Sequence, residues 1–389
     1  MELVLNRISK KTAIITVILL VLVSGVILGK LIFGNHGNNN SNFNTASFQQ
    51  VNQEISEDRK NAITKAVEKV SPAIVGINVE EVREIRDPFF NDPFFRQFFG
   101  DAFSQNQVVR GLGSGFLISD DGYILTNDHV AGNATKISIT LTTGETVDAK
   151  LVGSDPVSDV ALLKIDKDNL PYVTFGNSDN LIIGEWAIAL GNPFGLFEIN
   201  DKPTVTVGVV SAVNMKVSAE GNRVYKDMVQ TDASINSGNS GGPLLNALGE
   251  VIGMNTIIFT GGGYSSGSIG VGFAISINRV KKIMEELKSE GKIERPGDPG
   301  FSIQEIDERI AKQYNLKDSK GVFVIQIRRG SAADKAGLRP EDIITEINGE
   351  KIRTRVDLVF AIFDSKKGDK LKMKVLRNGS EENLEMKLE

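Results

Sequence analysis

The chain has no cysteine. That absence excludes a disulfide framework, a cysteine nucleophile, thiolate-bound zinc and a lipidated N-terminal cysteine. Histidine is nearly as scarce, with two in 389 residues. His36 sits in an Asn-rich tail, so His129 is the histidine available to a folded core. There is no basic excess either: 44 Lys and Arg against 49 Asp and Glu leave a net charge of -5, which argues against nucleic acid as a partner. No metal or cofactor is expected. What remains is a globular composition, 41% apolar and 24% charged, long enough for about two or three domains.

The N-terminus speaks to compartment. Arg7, Lys10 and Lys11 precede an uncharged run at 12–29, and an apolar extension at 31–33 follows Lys30. Such a run, with Lys30 able to snorkel, suffices to cross a bilayer as a helix. A cleaved signal peptide has a shorter apolar region and an Ala-x-Ala-like site, and none follows closely here. Residues 1–34 are therefore expected to be a cytoplasmic stub and transmembrane anchor, with everything after the span outside. Residues 35–57, rich in Asn, Ser and Gln, read as a flexible linker.

From 58 to 292 the pattern is mostly β. A short amphipathic helix carries Ile63, Val67 and Val70 and ends at Ser71-Pro72. Short strand-like runs then follow at 115–118, 137–141, 160–165, 186–190 and 205–213, separated by Gly, Asn and Asp. Strands this short with few helices suggest antiparallel barrels or sandwiches. A helix at 278–290 places Val280, Ile283, Met284 and Leu287 on one face, with Gly291 as its cap. Residues 293–389 read as a small α/β module with tight turns at Asn348-Gly349 and Asn378-Gly379.

Three residues in this frame point to acyl-transfer chemistry. Gly238-Asn239-Ser240-Gly241-Gly242-Pro243 has the form of a serine nucleophile in a tight glycine loop. A serine hydroxyl needs a neighbouring base, usually histidine. His129 stands at the end of an apolar strand, and Asp159 opens the buried run 160–163. An acid there can orient the imidazole and stabilise its charged form. Asp159 suits that role better than Asp155, which sits with Pro156 in a turn. The glycines leave amides free to stabilise an oxyanion, with Gly238 and Ser240 the natural pair. The order His, Asp, Ser is that of the chymotrypsin arrangement.

The chain resembles the HtrA (Deg) family of serine proteases. The matching stretches are Gly113-Ser114-Gly115-Phe116, Thr126-Asn127-Asp128-His129-Val130, the run from Asp159 to Ile165, Gly191-Asn192-Pro193-Phe194-Gly195, the run from Gln230 to Asn236, and the nucleophile loop through Leu245. The resemblance implies a chymotrypsin-like double β-barrel followed by one PDZ domain. It also implies degradation of unfolded or misfolded proteins outside the cytoplasm, from a homotrimer or a larger assembly. A chaperone or scaffold that binds unfolded chains through PDZ and aromatic surfaces is the alternative function.

Specificity and control can be read in the same terms. Ser234, six residues before the nucleophile, offers no charge for Lys or Arg, and the resemblance places Ile258 at the specificity-pocket wall. A branched apolar wall favours small or medium aliphatic residues, which folded proteins bury. Asn239 replaces the aspartate that pairs with a new N-terminus in secreted zymogens, so that activation route is closed. Residues 260–272 and 217–225 are candidates for activation and sensor loops, or are plain surface loops. Seven phenylalanines between 87 and 103 suggest an exposed contact surface rather than a local core. In the last module, the stretch from Asp298 to Ile303 aligns with a PDZ carboxylate-binding loop. Gly300, Phe301 and Ile303 would there receive C-terminal peptides, with Leu358 and Ile362 either lining the groove or forming plain core.

Overall fold

β-Branched runs punctuated by glycine and asparagine turns build two barrels and a smaller sheet. The structure is a computed structural model that describes residues 59–85, 105–192, 195, 197, 201–218, 223–236, 238–258, 270–314, 316 and 320–389. The apolar run at 12–29, the linker at 35–57 and the phenylalanine-rich stretch lie outside the described residues, as do 259–269 and 219–222. Among the described residues, no helix is long and apolar enough to cross a membrane.

Helix α1 (Ala62–Val70) buries Ala66 and Val70, and a 3-10 turn over Ser71–Ala73 delivers the chain into the first barrel. The barrel comprises β1 (Ile74–Ile85), β2 (Gln105–Leu117), β3 (Tyr123–Thr126), β4 (Lys136–Leu141), β5 (Thr146–Asp155) and β6 (Val160–Ile165), with helix α2 (Asp128–Ala131) after β3. Its closed order is β1-β2-β3-β6-β5-β4. Ile77, Phe116, Leu125, Ile139 and Leu163 fill it without measurable solvent contact beyond 1%. Closure removes the sheet edges that would otherwise invite pairing with another chain.

The second barrel uses β7 (Thr174–Phe175), β8 (Trp186–Gly191), β9 (Thr204–Ser218), β10 (Val224–Thr231), β11 (Pro243–Leu245), β12 (Glu250–Ile258) and β13 (Gly272–Ser276). The path β11-β8-β9-β10-β13-β12 returns on itself through a β11–β12 pairing, and β7 joins β12 in parallel. Small residues, Ala187, Ala189, Ala233 and Ala274, let its walls approach closely around Val210 and Ile252. The stretch expected as a sensor loop is partly strand: Val217 pairs with Tyr225 and Ser218 with Val224. The reason is burial, since Val224 and Tyr225 are both covered and their backbone must be hydrogen-bonded.

Helix α3 (Ile277–Glu290) leaves the second barrel and buries Ile277, Val280, Ile283 and Leu287 at helical spacing. Gly291 ends it in the left-handed conformation, φ 73°, with its amide on the Leu287 carbonyl. The last module has β14 (Phe301–Glu305), helix α4 (Glu308–Gln313), β15 (Val322–Ile327), helix α5 (Ala332–Lys335), β16 (Ile343–Ile347), β17 (Glu350–Lys351), helix α6 (Arg355–Phe363), β18 (Lys370–Arg377) and β19 (Ser380–Lys387). Its sheet runs β14-β15-β16-β18-β19, with β17 beside β16. Thr354 and Asp357 cap α6 reciprocally, each side chain on the other's backbone amide.

Charged side chains join this module to the barrels. Arg295 reaches both oxygens of buried Asp155, with Nε at 3.1 Å, while its Nη1 donates to the Asp364 carbonyl at the end of α6 (2.8 Å). Lys226 meets Glu350 at 3.0 Å, and Arg279 meets Asp364. Val157, Val224 and Phe360 pack together behind these pairs.

Candidate active site

His129 and Asp159 come together because their strands are neighbours. β3 pairs with β6, Thr126 opposite Ala161, so the residues just beyond their adjoining ends converge. Asp159 sits at φ 59°, a left-handed conformation that aspartate tolerates better than most residues. That turn aims its carboxylate at the imidazole: His129 Nδ1 lies 2.9 Å from each oxygen, and the His129 amide donates to Oδ1 at 3.0 Å. A carboxylate only accepts, so Nδ1 carries the proton and Nε2 is left as an acceptor.

Two further donors hold the same carboxylate. Thr256 Oγ1 donates to Oδ2 at 2.6 Å and the Tyr225 hydroxyl at 3.0 Å. Burial of Asp159 opposes its ionisation, but the hydrogen bonds from His129 and Thr256 outweigh it and hold the carboxyl below its ordinary range. Burial, and the charge of Asp159 beside it, push the Tyr225 phenol upward, so that it remains a donor. Arg223 stands farther off, 3.7 Å from Asp159 and 3.8 Å from Asp128. Asp128 is itself buried; burial, and then the nearby charges of Asp159 and Asp155, raise its pKa, against the hydrogen bond of Ser154 and the charge of Arg223.

Ser240 arrives on a loop clamped by Ser114. The Ser114 amide donates to the Ser240 carbonyl at 3.0 Å, and its hydroxyl donates to the Gly238 carbonyl. With both carbonyls so engaged, the amides of Gly238 and Ser240 have no hydrogen-bond partner among the described residues. Gly241 has φ 83°, and a Cβ there would lie 2.2 Å from the Ser114 carbonyl oxygen and 2.3 Å from Thr126 Oγ1. Only glycine lets the loop approach β2 this closely. The Ser240 hydroxyl donates to the Thr256 carbonyl at 3.1 Å, and Ser240 and His129 flank one cavity of about 250 Å3.

The structure thus gathers His129, Asp159, Gly238 and Ser240 in one place. Ser234 lies half-buried nearby in sequence, its carbonyl accepting from Thr206 Oγ1 at 2.7 Å, and Ile258 ends β12 opposite Gly272. In the small module Gly300 (φ 86°) is required by Ser331, whose Cβ would be 2.2 Å from a side chain there. Its amide donates to Asp298 Oδ1 at 2.9 Å, and Asp298 is held by Arg328 at 2.8 Å. The loop expected to offer that amide to a ligand therefore fills it with its own carboxylate. Phe301 and Ile303 are half-buried on β14, while Leu358 and Ile362 are core. Sequence reasoning assigned no role to Ser114, Thr256 or Tyr225. A serine buried between two glycines was a signal for the first; a strand threonine and a strand tyrosine gave none.

Two barrels that meet at a histidine, an aspartate and a glycine-flanked serine define a trypsin-like peptidase. Residues 113–254 match the trypsin-like peptidase domain family and residues 297–388 the PDZ domain family. The chain is 43% identical over 331 residues to the "Probable periplasmic serine endoprotease DegP-like" of Hahella chejuensis, covering 82% of this chain and 68% of that protein. Against the protein so described from Chlamydia trachomatis serovar D it is 41% identical over 354 residues, with 85% and 69% covered. The solved structure of "HtrA-type protease AlgW with decapeptide" superposes with a TM-score of 0.65 at 36% identity, covering 84% of this chain and 98% of that one. The chain belongs to the HtrA/Deg family of proteases and is a serine endopeptidase.

Proposed function

We propose that Ser240, His129 and Asp159 form the catalytic triad of an extracytoplasmic, membrane-anchored endopeptidase that degrades unfolded or misfolded proteins. The carrying observation is the His129–Asp159 pair, with Nδ1 facing a fully buried carboxylate and Nε2 left free to accept. To react, the Ser240 side chain must turn off the Thr256 carbonyl toward Nε2, across the cavity that both residues line. His129 then takes the proton as Oγ attacks the scissile carbonyl, and returns it to the departing amine. The amides of Gly238 and Ser240 stabilise the oxyanion, held in place by the Ser114 clamp on their carbonyls.

Cleavage after small or medium aliphatic residues follows from the uncharged Ser234 and from Ile258. Access to such residues requires an unfolded substrate. The run at 12–29 would hold the enzyme to the membrane, and the "periplasmic" relatives are in keeping with a body outside the cytoplasm. At the PDZ domain, a substrate C-terminus would have to displace Asp298 from the Gly300 amide and then add a strand to β14, the edge of its sheet. Assembly as a homotrimer is part of the same reading. Ser240→Ala tests it: the variant should keep its circular dichroism and thermal transition yet lose all cleavage of unfolded casein. Undiminished cleavage would sink the assignment.

A further inference from the structure

Tyr225 stands where the core would accept phenylalanine. Its ring is 5% exposed and shares a hydrophobic cluster with Met228, three residues on. Strand alternation puts residues three apart on opposite faces. A bulge between Tyr225 and Met228, with Asp227 at φ 57°, adds the residue that turns both inward. Apolar packing accounts for the ring but not for its oxygen, because a buried hydroxyl costs free energy unless it finds a partner.

That partner is Asp159. The Tyr225 hydroxyl donates to Oδ2 at 3.0 Å, beside the Thr256 hydroxyl at 2.6 Å, while Oδ1 takes the His129 amide. The reach of the tyrosine is fixed at its base: the Val224 amide donates to the Val157 carbonyl at 2.8 Å, two residues before Asp159. Helix α2 contributes the other titratable groups near the carboxylate, His129 and Asp128, and Asp155 acts on Asp128 in turn. Arg223, just ahead of β10, stays 3.7 Å away, too far for a hydrogen bond, and β12 contributes the uncharged Thr256. Burial and the Asp159 charge keep the phenol protonated, so its oxygen serves as a donor.

His129 meets the same carboxylate through Nδ1, 2.9 Å from each oxygen. Each donor on Asp159 takes up part of its negative charge and leaves less to hold a second proton on the imidazole. A base must be neutral before it can accept. The tyrosine hydroxyl therefore bears on when His129 can react, although it is buried away from any substrate.

We propose that Tyr225 is a positioning residue for the reaction: its hydroxyl draws charge from the Asp159 carboxylate and so lowers the pH above which His129 can take the Ser240 proton. This rests on the triad reading given above. Tyr225 acts through Asp159 alone, and its contribution is largest on the acid side of the activity profile.

Two replacements that keep the ring and change the donor test this in the whole chain in detergent. Tyr225→Phe removes the hydroxyl, and 3,5-difluorotyrosine placed at position 225 makes it a stronger donor. The measurement is kcat/KM for an uncharged peptide from about pH 5 to 9, the span that brackets a histidine. Tyr225→Phe should move the acid limb up by about half a unit, roughly a threefold loss on that limb, with KM on the alkaline plateau unchanged. The difluorotyrosine protein should move the limb down. A purely structural role would scale the whole profile or lower the melting temperature and leave the limb in place. A limb that stays put in either protein, or moves the same way in both, overturns the proposal; should Tyr225→Phe not fold, the difluorotyrosine shift decides alone. An unsubstituted protein with no acid limb in this range would overturn the triad reading itself, and the proposal would fall with it.

Discussion

Arg295→Met removes a guanidinium while keeping most of its apolar length, and its consequence can be worked from the contacts. Asp155 has no solvent exposure and Arg295 only 12%. Loss of the cation strands a buried carboxylate whose remaining donor among the described residues is the Ser158 amide at 3.1 Å, a cost of about 3–5 kcal/mol. The carbonyls of Asp364 and Ser365 lose their shared donor as well, adding about 1 kcal/mol. Asp155→Asn leaves Arg295 able to keep those carbonyls and should cost less, about 2 kcal/mol. Because the two side chains touch, the double variant should fall short of the sum by about 2 kcal/mol. Urea unfolding in a Ser240→Ala background avoids self-cleavage, and Trp186, the chain's one tryptophan, reports on the second barrel. A cost below about 1 kcal/mol for Arg295→Met, or additivity within about 0.5 kcal/mol, would refute the reasoning.

Gly241→Ala should lower the melting temperature and remove activity, because its Cβ would meet the Ser114 carbonyl at 2.2 Å on top of a left-handed backbone costing about 1–2 kcal/mol; calorimetry and casein cleavage read both. Asp128 has a raised folded pKa, so its charge is a penalty that is absent below the unfolded pKa and complete above the folded one. Asp128→Asn should therefore stabilise the protein at neutral pH, and the gain should vanish in melting curves taken toward about pH 4. Asp159 works in the opposite sense: its lowered pKa contributes stability above its unfolded value and loses it as pH falls through the folded one. Deleting residues 1–57 should release the enzyme from the membrane fraction and leave casein cleavage intact, since the described site residues lie downstream.

The candidate site was legible in sequence where a residue proposed to react adjoined an apolar run. His129 follows β3 and Asp159 precedes β6, and the pairing of those strands then makes them neighbours. Helix α3 was equally legible, since Val280, Ile283 and Leu287 recur at the helical period. Thr256 and Tyr225 were hidden for the converse reason. They lie 97 and 66 residues from the carboxylate they hold, in strands where a threonine or tyrosine is ordinary. The 217–225 stretch looked like a loop because Ser, Glu, Gly and Asn interrupt it; the strands close over its ends because Val224 and Tyr225 have a core to enter. The stretch from Asp298 to Ile303 aligned with a carboxylate-binding loop, and what its Gly300 amide meets depends on how Arg328, 30 residues away, fixes Asp298.

The left-handed turn at Asp159 means that the backbone and the chemistry select residues independently at this position. A β-branched side chain is barred by sterics whatever its polarity, and alanine would carry the conformational strain without any compensating hydrogen bond. Asparagine is the one close relative that the turn accepts as readily as aspartate. Asp159→Asn is therefore a way to disable the proposed base while the loop keeps its shape. A protein so changed would retain Ser240 and its clamp, and could hold a substrate beside an intact but unactivated hydroxyl.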